Sequence, residues 1–399
     1  MSELLFREPA FLELADRIGA RICRDAIWDG RRCNWVAGRG AGGKDCHALT
    51  PSLYSGTSGI ALFLRRLFDA TGEKIFRETA IGAFLQAWSQ MERLKTNGDF
   101  GLYTGLAGVV YVAREFGESL PVDWPLKSTP RQECDLIAGA AGVLVAALHP
   151  AAEHRPEGLC HLSSASLEAA IRCGEHLLSV ARRSDAGWSW PSIMDEALPG
   201  RPDLLGFGHG AAGIAWALLE LWHATGEQKY RDAAAEGFRY EQSYFSVEQG
   251  NWPDLRARSS ENTAAEYTLM WCHGATGIAL SRLRAFTLTG EPQYLAQAKI
   301  AVQTVARGIR NQGSCCICHG LFGSIDLLLY TDTAEAITLA QDAAHEAVDR
   351  YPAQRLPWPC GVIGGHETPD LMLGLAGIGH TLLRLTDPTL SSPLMIQPS

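Results

Sequence analysis

The segment CCICHGLFG, residues 315–323, places three cysteines and a histidine within five residues and ends in two glycines three apart. Two other segments carry the same glycine pair behind reactive side chains, GHGAAG at 208–213 and WCHGATG at 271–277. Thiolate and imidazole are the ligands that zinc prefers in proteins. These segments could therefore form a metal site. A redox pair, a disulfide and a buried cysteine cluster are the alternative interpretations.

The glycine pair G-x-x-G is an internal repeat that occurs seven times. Its first glycines are Gly56, Gly105, Gly139, Gly210, Gly274, Gly320 and Gly374. Three copies extend into ATGEKIF, ATGEQKY and LTGEPQY, in which a glycine follows the pair by thirteen residues, an aromatic comes four residues later and an alanine eight residues later. Agreement at so many offsets indicates a true structural repeat.

Each repeat is predicted to be a pair of helices. The G-x-x-G pair is typical of a tight turn that opens a helix, and the apolar residues after it predict that this helix is buried. The TGE segment is typical of a helix end with glycine at the cap, and an amphipathic stretch follows it. The pattern predicts an all-α fold of seven helix pairs in a single domain, residues 1–399. An open solenoid and a closed ring both fit the repeat.

Reactive cysteine and histidine side chains occur at the two positions before the first glycine only in copies four to six. These are Gly208-His209, Cys272-His273 and Cys318-His319. Equivalent turns of a repeat lie at one end of the structure, so we expect His209, Cys272, Cys318 and His319 to converge.

Two cysteines and one histidine make three zinc ligands and leave the fourth tetrahedral position open, as in catalytic sites. Taken alone, each of these residues is equally typical of a small buried side chain at a helix start. Cys315 and Cys316 precede the turn, and we interpret them as buried residues outside the repeat position.

Composition excludes several functional classes. A net charge of -9, with no block of clustered Lys and Arg, argues against a nucleic-acid partner. Eleven scattered cysteines do not suggest a secreted disulfide scaffold. The N-terminus lacks a signal-peptide core, and the longest apolar run, 136–148, is too short to cross a bilayer. The sequence predicts a cytoplasmic protein without membrane insertion.

The motif set GHGAAG, WCHGATG and CHGLFG resembles that of the lanthipeptide cyclase family, the zinc-dependent lanthionine synthetase cyclases, over nearly the whole chain. LYSGTSGIALFL, DLIAGAAG, GNWPDLR and LMLGLAGIGHTLLRL resemble especially the C-terminal cyclase module of two-domain lanthionine synthetases. The WCHG element is also similar to that of the stand-alone, glutathione-binding relatives in eukaryotes. The resemblance implies an α,α-toroid of seven inner and seven outer helices with zinc at one mouth.

The resemblance also implies roles for particular residues. The zinc ligands fall on Cys272, Cys318 and His319. The active-site histidine falls on His209, and the active-site aspartate falls on Asp135. An aspartate at this position is also typical of an ordinary helix N-cap.

Two neighbouring positions vary within the family. His273 is a candidate for an outer-shell role only. Thr268 replaces a residue that is basic in some cyclases, so one auxiliary contact is in doubt.

The implied reaction adds a peptide cysteine thiol to dehydroalanine or dehydrobutyrine. Zinc would deprotonate the thiol, His209 would protonate the α-carbon, and Asp135 would orient His209 or take the thiol proton. The expected partner is a dehydrated precursor peptide. No P-loop or kinase motif set is present, so we expect a separate dehydratase.

Three alternatives remain open on the sequence alone. One is the addition of a small thiol such as glutathione to dehydroamino acids, and another is a non-catalytic zinc-binding scaffold. A glycosidase on the same fold ranks last, because the mouth turns lack the paired carboxylates it would need.

Overall fold

A computed structural model describes residues 9–39, 45–117, 133–149, 163–192, 200–256 and 265–397. The chain divides into two compact units. Unit 1 comprises Met1–Gly98, Thr104–Phe116 and Gly308–Met395, and unit 2 comprises Asp99–Tyr103, Gly117–Arg307 and Ile396–Ser399. The sequence-based assignment of one domain over 1–399 stays a prediction.

Helices dominate both units. Within the described ranges they are α1 (Pro9–Arg24), α2 (Thr57–Thr71), α3 (Lys74–Trp88), α4 (Met91–Asn97), α5 (Leu106–Glu115), α6 (Ala140–Leu148), α7 (Ser164–Val180), α8 (Ala211–Thr225), α9 (Gln228–Gln242), α10 (Ala275–Thr289), α11 (Pro292–Gly308), α12 (Leu321–Tyr330), α13 (Ala334–Arg350) and α14 (Leu375–Thr386). The short strands are β1 (Ile27–Asp29), β2 (Arg32–Asn34), β3 (Val36–Arg39), β4 (Asp45–Ala48), β5 (Arg182–Ser184), β6 (Gly187–Ser189), β7 (Pro253–Asp254) and β8 (Glu266–Tyr267).

Every G-x-x-G pair opens a helix, as predicted. Helices α2, α5, α6, α8, α10, α12 and α14 each begin at the residue after the first glycine. The second glycine is needed because the chain entering the turn passes against it. A Cβ on Gly213 would lie 1.9 Å from the carbonyl oxygen of Phe207, and one on Gly377 would lie 1.9 Å from that of Leu371.

The TGE segments end their helices as predicted. Gly72, Gly226 and Gly290 adopt left-handed backbone conformations, with φ of 75°, 73° and 70°. Each donates its N–H to the carbonyl four residues earlier, which satisfies an otherwise free acceptor at the helix end. The covering helices α3, α9 and α11 follow within two residues. The aromatic and the alanine of each of these repeats belong to the covering helices and are buried: Phe76, Ala80, Tyr230, Ala234, Tyr294 and Ala298.

Buried and covering helices pack as pairs within each unit. In unit 1, α2 packs against α3 and α12 against α13, and the last buried helix, α14, packs against the N-terminal helix α1. In unit 2, α6 packs against α7 and α8 against α9. Buried helices also contact one another, α14 with α2 and α12 in unit 1, and α8 with α6 and α10 in unit 2.

Four antiparallel hairpins among the described residues interrupt this helical pattern. These hairpins could not be predicted from the sequence, because strands of two to four residues are too short to show alternation. Two of the hairpins lead directly into a buried tryptophan. Trp35 follows β2 and donates its indole N–H to the carbonyl of Ile22 in α1 at 2.8 Å. Trp190 follows β6 and does the same to Leu177 in α7 at 2.9 Å. The hairpins thus anchor the chain to a covering helix before the next G-x-x-G turn.

None of the helices in the described part of the chain combines the length and the apolar character needed to cross a membrane. The cytoplasmic location stays a prediction.

Candidate active site

The G-x-x-G turns are joined to one another by backbone hydrogen bonds within each unit. In unit 2, Leu136 N–H donates to the carbonyl of Gly208 at 3.2 Å, and Gly208 N–H donates to that of Cys272 at 3.1 Å. In unit 1, Cys318 N–H donates to Met372 at 3.0 Å, and Met372 N–H donates to Tyr54 at 2.9 Å. Equivalent turns therefore lie side by side inside each unit, and the convergence of His209, Cys272, Cys318 and His319 stays a prediction.

Asp135 and His209 form a hydrogen-bonded couple in unit 2. His209 Nδ1 lies 2.6 Å from Asp135 Oδ2. The other carboxylate oxygen, Oδ1, accepts the backbone N–H groups of Ala138 at 2.7 Å and Gly139 at 3.1 Å. One oxygen of Asp135 thus caps the turn before α6, and the other holds His209. The interpretation of Asp135 as a helix N-cap was wrong, because the N-cap residue of α6 is Gly139. With Nδ1 on the carboxylate, the Nε2 atom of His209 is left for chemistry.

The charge environment of His209 favours its protonated form. Burial lowers the pKa of His209, but the hydrogen bond and negative charge of Asp135 raise it. The Cys272 thiol raises this pKa further, Arg256 lowers it, and the balance lies above the ordinary histidine value. An imidazole held in this way by a carboxylate is suited to donate a proton.

His273 lies against His209. The two rings are stacked with centroids 5.2 Å apart and an angle of 17° between their planes. His273 is 4% exposed, and its Nε2 has no hydrogen-bond partner among the described residues. Burial, followed by the positive charges of Arg256 and His209, lowers the pKa of His273 well below the ordinary value, although Asp254 opposes this shift. His273 is therefore a neutral ring against the face of His209.

Thr268, which stands where some cyclases have a basic residue, makes hydrogen bonds within its own turn. Its hydroxyl donates to the carbonyl of His273, and its own carbonyl accepts from the Asn251 side chain at 3.0 Å. Thr268 thus fixes the turn that carries Cys272 and His273.

Cys318 and His319 lie in unit 1 at the turn before α12. Cys318 is 1% exposed, and its sulfur accepts a hydrogen bond from the Tyr54 hydroxyl at 2.8 Å. His319 is half-buried, with Nε2 3.1 Å from the carbonyl oxygen of Gly361. In the tautomer that donates to this carbonyl, Nδ1 presents a lone pair, as a metal-binding histidine requires.

A side chain four residues before the first glycine caps several of these turns. It accepts the backbone N–H of the residue that directly precedes that glycine. The side chains in this role are Ser52, Asp135, Cys316 and Asp370. The interpretation of Cys316 as lying outside the repeat was therefore wrong, because its sulfur lies 3.4 Å from the N–H of His319. Cys315 is buried and fixed through its backbone N–H on Pro359.

The predicted zinc ligands are divided between the units, with Cys272 in unit 2 and Cys318 and His319 in unit 1. Within the described residues, no three or more His, Cys, Asp or Glu side chains are arranged to hold a metal ion. The donors themselves suit zinc, since they are two buried thiols and an imidazole whose far nitrogen is on a carbonyl. Zinc binding stays a prediction.

Comparison with known proteins identifies the family. Residues 47–396 match the family model described as lanthionine synthetase C-like protein. The chain belongs to this family, as the sequence motifs suggested.

Two curated relatives share part of their length with the chain. The lacticin 481/lactococcin biosynthesis protein LcnDR2 of Lactococcus lactis subsp. lactis is 23% identical over 84% of this chain and 36% of its own length. The glutathione S-transferase LANCL1 of Danio rerio is 27% identical over 47% of this chain and 44% of its own length. The chain thus spans less than half of either relative.

The solved structure of nisin cyclase is similar in fold. It superposes with a TM-score of 0.63 at 16% identity, covering 96% of this chain and 95% of that structure. At this identity the likeness concerns the fold alone, and it agrees with the predicted α,α-toroid class.

Proposed function

We propose that the protein is a zinc-dependent cyclase that forms lanthionine or methyllanthionine rings. It would join peptide cysteine thiols to dehydroalanine or dehydrobutyrine in the same peptide. The observation that carries the proposal is the His209–Asp135 couple, which lies on a turn bonded directly to the backbone of Cys272. Membership of the lanthionine synthetase C-like family and the likeness to nisin cyclase support it.

Cys272, Cys318 and His319 would hold the metal. Zinc bound there would lower the pKa of an incoming thiol and supply it as the thiolate nucleophile. Three protein ligands leave a position for the substrate, which a closed structural site would not.

His209 would complete the addition. When a thiolate adds to the β-carbon, the electron pair of the double bond moves toward the α-carbon and its carbonyl, and the α-carbon must then gain a proton. Asp135 holds Nδ1 of His209, so Nε2 is the atom that delivers this proton. The thiol gives up one proton and the α-carbon gains one, so the ring closure releases none. Asp135 stabilises the imidazolium before the transfer, and His273 keeps the ring from tilting by stacking on it.

The reaction requires a substrate that has already lost water from Ser or Thr. We propose that the substrate is a precursor peptide dehydrated by a separate dehydratase. The relative from Lactococcus lactis, named for the biosynthesis of lacticin 481 and lactococcin, supports a peptide substrate.

A second candidate is the addition of a small thiol such as glutathione to a dehydroamino acid. The similarity to the glutathione S-transferase of Danio rerio favours it. The same histidine and aspartate would serve, and only the source of the thiol would differ. A non-catalytic zinc-binding scaffold would leave the His209–Asp135 couple without a purpose.

Elemental mass spectrometry tests the metal first. We expect about one zinc per chain in the wild type and loss of that zinc in Cys318→Ala. Absence of zinc after reconstitution of the wild type would overturn the proposal and leave the scaffold interpretation.

The activity assay uses a synthetic peptide with one dehydroalanine and one cysteine. Ring closure leaves its mass unchanged but removes the free thiol, so alkylation with N-ethylmaleimide followed by mass spectrometry counts unreacted peptide. We expect the zinc-loaded wild type to protect the thiol and His209→Gln not to do so. A parallel peptide without cysteine, mixed with glutathione, gains the mass of glutathione if the second candidate is correct. No acceleration in either assay by zinc-loaded protein would refute both enzymatic candidates.

A further inference from the structure

Tyr54 occupies the turn position of copy one that Cys272 and Cys318 occupy in copies five and six, two residues before the first glycine. In unit 1 its hydroxyl donates to Cys318 Sγ at 2.8 Å, across 264 residues of sequence. The backbone sets this contact. Cys318 N–H bonds to Met372, and Met372 N–H bonds to Tyr54, so three successive turns hold the two side chains in register.

The surroundings favour a strong interaction between hydroxyl and sulfur. Cys318 is 1% exposed, so its sulfur is almost completely removed from water. A metal-bound cysteine is a thiolate, which only accepts hydrogen bonds, and the phenol hydroxyl supplies the donor. Hydrogen bonds to charged acceptors are about twice as strong as neutral ones.

We infer that Tyr54 is a positioning residue for the metal ligand Cys318, with its hydroxyl donating to the thiolate. The inference rests on the proposed zinc site and adds a side chain to it from a different repeat. The hydrogen bond fixes the Cys318 side chain toward the metal and withdraws electron density from its sulfur. Outer-shell partners of this kind typically change metal affinity by 10- to 100-fold.

The test replaces zinc with Co²⁺, whose thiolate charge-transfer absorption reports directly on the ligand sulfur. Tyr54→Phe removes only the hydroxyl. We expect its charge-transfer band to move to longer wavelength, because a sulfur without the hydrogen bond gives up electrons more easily. Competition with a chromophoric chelator should also show zinc bound roughly 10- to 100-fold more weakly than in the wild type.

Tyr240→Phe is the matched control. Tyr240 is buried, whereas Tyr54 is half-buried, and the Tyr240 hydroxyl donates to a backbone carbonyl, that of Asp203, at 3.0 Å. Its removal should lower thermal stability without changing the cobalt spectrum or the zinc affinity.

The possible failures can be told apart. If the wild type binds metal and Tyr54→Phe has the same band and affinity, the inference about Tyr54 is overturned and the proposed function stands. An equal shift in both variants would also overturn it, because any buried hydroxyl would then have the same effect. If the wild type binds neither metal, the proposed function fails, and the inference falls with it.

Discussion

The substitution Asp135→Asn separates the two roles of this aspartate. An asparagine side chain still offers Oδ1 to the backbone N–H groups of Ala138 and Gly139, so the turn keeps its cap. What it loses is the negative charge beside His209 Nδ1. Its amide NH2 would instead face that nitrogen, which favours the neutral ring with its proton on Nε2 and disfavours the imidazolium.

The size of the effect follows from this geometry. A hydrogen bond to a charged group contributes about 1.5–3 kcal/mol, and each 1.4 kcal/mol in the barrier changes the rate about tenfold. Loss of the charge alone should therefore lower the rate about 10- to 100-fold. The unfavourable tautomer adds to this, up to the roughly 10⁴-fold that a general acid contributes. We expect kcat/KM for ring closure to fall by about 10² or more while zinc content is unchanged.

Asp370→Asn is the matched control, because Asp370 stands at the same repeat position. Its Oδ1 accepts the N–H of Leu373 at 2.9 Å, and its Oδ2 accepts the Thr368 hydroxyl at 2.7 Å. Among the residues that the structure describes, no histidine is hydrogen-bonded to Asp370. Both variants are assayed by thiol protection at equal zinc loading. If Asp135→Asn retains activity, or if both variants lose it equally, Asp135 is a turn cap and the argument for the couple is wrong.

Two further predictions concern unit 1. Gly361→Ala should weaken zinc binding at least about tenfold, since a Cβ there would lie 2.8 Å from the His319 ring. Gly313→Ala, with nothing within 4 Å of the added Cβ, should bind zinc normally, and equal affinities in chelator competition would contradict the role of Gly361. Burial raises the pKa of Asp370 to about 6, above the ~3.9 of an unfolded chain. The folded state therefore binds more protons between these values, and its free energy of unfolding should fall by about 3 kcal/mol as the pH rises through that window. Burial also raises the pKa of Glu241, to about 7, so urea titrations on both sides of the window should show a loss in the wild type that is smaller by about 3 kcal/mol in Asp370→Asn.

The helical framework could be predicted from the sequence because its signals are local. The G-x-x-G pair places the start of each buried helix at one residue, and TGE places the end of three of them. His209 and Asp135 could be selected because family motifs mark them, and the structure places them 2.6 Å apart, while their roles stay a prediction.

The missed features depend on contacts between distant parts of the chain. Nothing near Tyr54 indicates that its hydroxyl meets Cys318, although a tyrosine at the position of the ligand cysteines was a usable signal. The capping role of Cys316 was missed because thiols, hydroxyls and carboxylates all cap the same turn in different repeats. The repeats share the geometry of this turn but not the type of residue that caps it. The hairpins were missed because their strands are too short to show alternation, and the two indole hydrogen bonds that anchor two of them to helices leave no mark in the sequence.

The pairing of α1 with α14 has a consequence for the order of folding during synthesis. Unit 1 draws on both ends of the chain, whereas most of unit 2 is one continuous stretch. On the ribosome, unit 2 can assemble while α1 still lacks α14, the helix it covers. The apolar side of α1, which includes Phe11 and Ile18, lacks its packing partner in the nascent chain until α14 has been synthesised. Cys318 and His319 belong to unit 1, so two of the three proposed metal ligands lie in the unit that is completed only when α14 has been synthesised.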